Sequence, residues 1–424
     1  MINRTLAPEL KVPAGIVLTE PLEIKLKNKS SLYIISAGTQ DVCKLELIFD
    51  AGSAYHKHPL IASVTNELID EGTSTRKSAE IADLFDYYGA YLQTECTVDY
   101  ASITLYSLNK FLEKTVALLV EVLNDPSFPE DELETYIQQE RQRLTVNLEK
   151  VDYLSRKHFN HALYKNHIYG YFPDVSNYND VSSSQLKSFY KTNYTSGLKA
   201  VILSGKTNDK DVQKITSRLN ELNFEEKTDS GSLYKLEEYI PVTSHFERPG
   251  AVQNAIRIGR RLFNRKHPDY PKLTVLNTIL GGYFGSRLMT NIREDKGYTY
   301  GIGSGLASLA DDGYFYISTE VGADVCEAAL KEIYIEVAQL REHVVPEQEL
   351  ALVKNYLYGS FQRSMDGPFA ISDRFKTVLL SGLNYDYFRQ YLDTLKNITP
   401  NEVLAVAEKY LSSSGFTQVT VGKK

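Results

Sequence analysis

The same succession of elements occurs twice along this chain, so the fold must be built in two similar halves. In the first half, strand-like runs at Leu32–Ser36 and Leu45–Asp50 lead into helical stretches at about Leu60–Asp70 and Ser78–Tyr88. The run "GAYLQTECTVDYASITLYSL" then reads as two strands rich in β-branched and aromatic residues. A helix at Phe111–Leu123 follows, then a long charged helix from Asp131 to about Tyr164, a strand at Ala200–Leu203 and a helix at Asp211–Leu219. The second half repeats this order. "AVQNAIRIGRR" is a strand, Tyr270–Leu280 and Phe284–Arg293 are helices, "GIGSGLASL" and "GYFYISTEV" are paired strands, and Val325–His343 is a long helix. "SFPEDELETYIQQERQRL" and "VVPEQELALVKNYL" match in type and place, each giving a proline, an acidic start and a long helix. A repeat of roughly 220 residues means duplicated domains, because solenoid units run to only about 20–50 residues. Strands that pair across short connections, with helices in runs, favour α+β layering over a doubly wound sheet. The expected division is an N-terminal domain over 1–221, a polar linker over 222–248 and a C-terminal domain over 249–424.

Composition narrows the function classes. Hydrophobic residues at 42% and charged residues at 24% describe a globular chain and leave no case for wholesale disorder. A net charge of -7 provides no electrostatic footprint for nucleic acid. Cys43, Cys96 and Cys326 are odd in number and widely spaced, which excludes a disulfide framework and a CxxC knuckle; they read as buried hydrophobes in a reducing compartment. Pro8, Pro13 and Pro21 interrupt any secretory apolar run, and no stretch reaches the roughly 20 apolar residues of a membrane span. A soluble cytoplasmic protein with no membrane or nucleic-acid partner is therefore expected.

The duplicated order, strand–"AGS"–helix–"GT"–helix–paired strands–helix–proline–long helix, is similar to the pitrilysin/insulinase family of metallopeptidases, which also includes the mitochondrial processing peptidase. The resemblance runs from about Ile24 to Gly422, and "YPKLTVLNTILGGYFGSRLMTNIREDKGYTYGIGS" is its most specific stretch. It implies two homologous domains, each an antiparallel-rich sheet packed by helices, together forming half of a clamshell.

Active members of that family carry H-x-x-E-H on the first-domain helix, where two imidazoles hold zinc and the glutamate takes a proton from the bound water. Counting back from Gly72 and Thr73 puts Ser63, Val64, Thr65, Asn66 and Glu67 at those positions. Both histidines are missing, and the general-base position is Asn66, whose amide accepts no proton at neutral pH. The third-ligand position falls in "QQERQRLTVNLEKV", where Asn147, Glu140 and Glu149 stay open as alternatives. Of the eight histidines only His56/His58 and His158/His161 are close in sequence, and no acidic residue stands between either pair; packed or solvated placement is the favoured reading. No metal or cofactor is expected in this chain.

The second-domain signature survives. The family's substrate-holding Arg/Tyr pair resembles Arg293 and Tyr300 in "REDKGYTY", with Tyr298 as an alternative on the same strand face. Gly281, Gly282 and Gly285 in "LGGYFGSRL" lack the trailing Lys-Ser/Thr of a phosphate loop and read as a hinge or a helix stop. What the resemblance implies is a non-catalytic subunit beside a homologous, zinc-bearing partner that cleaves peptides or unfolded segments. The alternative is a structural or peptide-binding module without peptidase activity. Whether the chain forms a homodimer when alone is open.

Overall fold

A computed structural model describes residues 16–226 and 233–424. Pro8, Pro13 and the middle of the expected linker, residues 227–232, lie outside the described residues.

The first half contains strands β1 (Leu22–Lys25), β2 (Ser31–Ser36), β3 (Val42–Phe49), β4 (Tyr91–Cys96), β5 (Ala101–Leu108) and β6 (Leu198–Gly205). They form one sheet in the order β1-β2-β6-β3-β5-β4, in which β2 and β6 run parallel and the other neighbours antiparallel. Helices α1 (Ile61–Glu67) and α2 (Ser78–Tyr87) lie between β3 and β4 in sequence. Between β5 and β6 come α3 (Leu112–Asn124), α4 (Glu130–Asn147), α5 (Val151–Tyr164) and α6 (Ser183–Asn193), and α7 (Asp209–Leu219) follows β6.

The second half contains β7 (Thr243–Glu247), β8 (Gln253–Leu262), α8 (Tyr270–Asn277), β9 (Thr299–Ser308) and β10 (Gly313–Gly322). Then come α9 (Cys326–Glu342), α10 (Glu347–Arg363), α11 (Pro368–Leu380), α12 (Asp386–Asn397), α13 (Pro400–Tyr410) and β11 (Thr417–Gly422). These strands hydrogen-bond in the order β7-β11-β8-β10-β9, with β7 and β11 parallel and β9 and β10 antiparallel. With β1 set aside, the two sheets have one topology: first strand, last, second, fourth, third, with the first and last parallel. The fold is α+β with a duplicated sheet plan. By Cα packing, Glu20–Ile258, Gly367–Ser372 and Thr417–Lys424 form one compact unit, and the other is built mainly from Gly259–Asp366 and Asp373–Phe416.

Helix starts follow the local chemistry. Pro129 and Pro346 take extended backbone angles immediately before α4 and α10, and Glu130, Asp131, Glu132, Glu347 and Glu349 occupy the positive first turns. The single long helix expected from Asp131 to Tyr164 divides into α4 and α5, with Lys150 extended at the break. Thr145, Val146 and Asn147 are weak helix formers at that point. Past the break, Arg257 on β8 donates to Asp152 at 2.9 Å and Ser155 at 3.2 Å, which anchors α5 in its new direction. The second-half helices also differ from expectation. After α8 the chain continues as a π-helical stretch, Thr278–Gly282, and Arg293 lies in a second one, Met289–Asp295, that leaves Phe284 outside. Close packing accounts for Gly281: a Cβ there would sit 2.7 Å from the Ser304 backbone nitrogen on β9.

β3 is covered on both faces. Cys43, Leu45, Leu47 and Phe49 enter the main core with Leu32, Leu105, Val201 and Leu203. The opposite face places Lys44 and Glu46 together, their charged groups 3.6 Å apart and almost wholly buried. Among the described residues no helix is long and apolar enough to cross a membrane.

A buried pair is strongly destabilising when halved and nearly neutral when replaced as a unit. Lys44→Met should therefore lower stability by about 3–5 kcal/mol in urea denaturation.

Candidate functional site

Helix α1 is only seven residues long, and its apolar residues Ile61, Ala62 and Val64 are buried. Its hydroxyls turn back onto their own helix: Ser63 Oγ donates to Leu60 O at 3.0 Å and Thr65 Oγ1 to Ile61 O at 2.7 Å. Asn66, at the position the resemblance assigns to the general base, has no exposed surface. The Tyr194 hydroxyl, just past α6, donates to Asn66 Oδ1 at 2.8 Å, and Asn66 Nδ2 reaches Ser102 O on β5 at 3.5 Å. Burial holds the Tyr194 phenol well above its ordinary pKa, so it stays protonated and donating. Phe49 and Tyr190 pack on the same ring, with centroids 4.7 and 5.1 Å away.

Of the five motif positions, Ser63 and Glu67 line a cleft of about 500 Å³. Its other wall is one face of α4, where Tyr136, Glu140 and Arg143 stand four and three residues apart. Arg143 pairs with Glu140 at 2.7 Å. Glu67 is exposed as a residue, yet its carboxyl is crowded. Burial first, and then Glu140, raise its pKa, against a hydrogen bond from Thr94 and the charge of Arg143. Glu140 is thus the third-ligand candidate that shares the cleft with Ser63 and Glu67. Asn147 instead accepts from Lys150 at 2.9 Å, and Glu149 pairs with Arg248.

This arrangement does not fit zinc. It offers a serine hydroxyl, a buried amide and two carboxylates, with neither of the two imidazoles that anchor the metal in the H-x-x-E-H pattern. Cys96 also lines the cleft, but burial, followed by the Glu67 charge, pushes its thiol up to about 12, so the thiolate is not populated at neutral pH. Among the described residues no group of three His, Cys, Asp or Glu side chains is placed to hold a metal ion. The paired histidines serve packing. His56 Nδ1 accepts from the His58 backbone at 3.0 Å, and His158 stacks on Phe246 with centroids 3.6 Å apart.

The second candidate group is separate in sequence and lies within the Gly259–Asp366 segment. Arg293 lies in the last turn of the π-helical stretch Met289–Asp295, and Tyr300 stands on β9 with 89% of its surface exposed. The Arg293 guanidinium lies 5.2 Å from the Tyr300 ring centroid and 4.8 Å from that of Phe284. Rings hold a guanidinium through their faces without consuming its in-plane N–H donors. Tyr298 lies one residue before β9, and its backbone N–H donates to Ile292 O at 3.0 Å. Sequence reasoning missed Tyr194, Tyr136, Cys96 and Arg143. Nothing in a chain with 30 tyrosines marks Tyr194, which meets its partner across 128 residues.

Comparison with known proteins gives matches over most of the chain. Residues 32–171 match the description of the insulinase family, peptidase family M16, and residues 180–357 match the peptidase M16 inactive domain. A Rickettsia felis protein named an uncharacterized zinc protease is 25% identical, with 92% of this chain and 94% of that one aligned. A Helicobacter pylori protein named a non-peptidase homolog is 24% identical over 88% of this chain and 87% of its own. The crystal structure of a peptidase M16 inactive domain from Pseudomonas fluorescens superposes with a TM-score of 0.87 at 25% identity, covering 95% of this chain and 98% of that one.

Two measurements test this site. Tyr194→Phe leaves the Asn66 carbonyl buried without its donor and should cost about 1–3 kcal/mol in urea unfolding. The second concerns Asp70, whose carboxyl is raised from 3.8 to about 6, chiefly by burial and then by Glu71. Between those values the folded chain holds a proton that the unfolded chain has released, so stability falls as pH rises through the window and levels off above it. Relative to Asp70→Asn, the parent should lose on the order of 2–3 kcal/mol between pH 4 and 7.

Proposed function

The chain belongs to the insulinase family, peptidase family M16, as an inactive peptidase-like member, and on that premise we propose that it is the non-catalytic subunit of a zinc peptidase heterodimer. A homologous subunit with an intact H-x-x-E-H helix supplies the zinc, and this chain supplies Arg293 and Tyr300 to the substrate peptide. One observation carries the reading. Among the described residues no hydrogen bond or ion pair fixes the Arg293 guanidinium, which rests on the faces of Tyr300 and Phe284. Its donor fork is thus left for a substrate carbonyl or the oxyanion that develops during hydrolysis, and the Tyr300 hydroxyl adds a second donor. A merely structural arginine at a helix end would be expected to spend its donors on neighbouring carbonyls or carboxylates. The substrates are peptides or unfolded segments, and the site of action is the cytoplasm.

A second reading, a peptide-holding module without peptidase activity, is favoured by the cleft itself. The space around Ser63, Glu67 and Glu140 persists without zinc ligands, and one relative bears the name of a non-peptidase homolog.

The test mixes the purified chain with a zinc-bearing homologue and follows cleavage of a fluorogenic peptide. Activity should require both chains, and Arg293→Ala with Tyr300→Phe should lower kcat by about 10²–10³-fold. An unchanged rate with that double variant would remove these residues from the reading. An active mixture that does not need this chain would overturn the heterodimer.

A further inference from the structure

A cavity in the unit built on Gly259–Asp366 and Asp373–Phe416 is lined by two arginines and, among the described residues, by no carboxylate. Its volume is about 310 Å³, at the lower end of small-molecule sites. Arg265 and Arg374 both line it, with Tyr270, Tyr387 and Tyr391, and no carboxylate lies among its lining residues. Two guanidiniums facing one space are repulsive in a low-dielectric wall. Burial, and in smaller measure the Arg265 charge, hold Arg374 below its ordinary pKa.

The hydrogen bonds of the two arginines leave donors over. Arg374 Nε donates to Ser364 Oγ at 2.7 Å, and its guanidinium lies 5.9 Å from the Phe361 ring centroid. Arg265 makes a long 3.4 Å contact to Thr377 O, hydrogen-bonds the Tyr270 side chain and lies 6.0 Å from its ring centroid, while its Nε is buried with no hydrogen-bond partner among the described residues. A buried donor of this kind is costly unless something occupies the space before it. Burial raises the phenols of Tyr270 and Tyr391, and that of Tyr387 to about 12, so all three hydroxyls are protonated donors at neutral pH.

We infer that this cavity binds a small molecule through an oxyanion group, a carboxylate or a phosphate, held between Arg265 and Arg374 and capped by tyrosine hydroxyls. A bound anion replaces guanidinium repulsion with charge-assisted hydrogen bonds, and planar forks match either group bidentately. The aromatic rings of Phe361 and Tyr270 give an apolar body of the ligand a surface to lie on. The site is independent of Arg293 and Tyr300, so it stands or falls apart from the heterodimer.

Calorimetric titration of the full chain at constant ionic strength, with inorganic phosphate in one arm and benzoate in the other, tests it. At least one anion should bind with one site per chain; a phosphate preference identifies a phosphoryl ligand and a benzoate preference a carboxylate. Arg374→Met should weaken that binding by about 10-fold or more, corresponding to the loss of one charge-assisted contact. Arg374→Lys, which keeps the charge and loses the fork, should fall between the two and carries the test if the Met variant does not fold. Absence of binding by both anions, or unchanged affinity in Arg374→Lys and Arg265→Met, would overturn the assignment.

Discussion

The Tyr194 hydroxyl donating to Asn66 Oδ1 is the contact on which the reading of the first half depends. It joins α1 to the chain leaving α6 inside a sealed core, where Phe49 and Tyr190 pack on the same phenol. An amide can be buried there because it is met; left unmet it would cost about 1–3 kcal/mol. The position at which the family's active members keep a proton-accepting carboxylate is therefore occupied by a residue committed to holding the helix in place. Ser63 is similarly turned onto its own backbone. The helix keeps its location and has lost its chemistry.

The space it faced has not collapsed. Glu67 and Glu140 share a cleft of about 500 Å³ with Arg143, and burial, with the Glu140 charge behind it, raises the Glu67 carboxyl. Two carboxylates and a hydroxyl are hard, weakly selective donors, poorly matched to an ion that prefers imidazole and thiolate. The second half differs. Arg293 rests on aromatic faces beside an exposed Tyr300, an arrangement that fixes a cation while leaving its N–H groups free to donate. The missing groups are those that would handle zinc and water.

Much of this plan was legible in local patterns. Pro129 and Pro346, each followed by acidic residues, marked the starts of α4 and α10, and the repeated order of elements announced the duplication. The shared sheet plan was not legible, because β2 pairs with β6 across most of the first half and no local signal encodes so distant a neighbour. The anchoring of α5 past the break rests on Arg257 reaching Asp152 from β8, which is equally non-local. The missing histidines were visible at Ser63 and Glu67. The third-ligand position was not, since Glu140, Asn147 and Glu149 lie within ten residues of one another along α4 and just past it; side-chain partners alone separate them. Tyr194 gave no signal, and neither did the pairing of Arg265 with Arg374 around one cavity.

The central claim is that this chain has given up zinc while keeping its fold, and its metal content tests that most directly. The purified chain would be equilibrated with excess zinc, dialysed and measured by plasma mass spectrometry. The account predicts far less than one zinc per chain, with no change in unfolding midpoint on adding a chelator. One tightly held zinc per chain, stabilising the fold and removed by chelation, would contradict it.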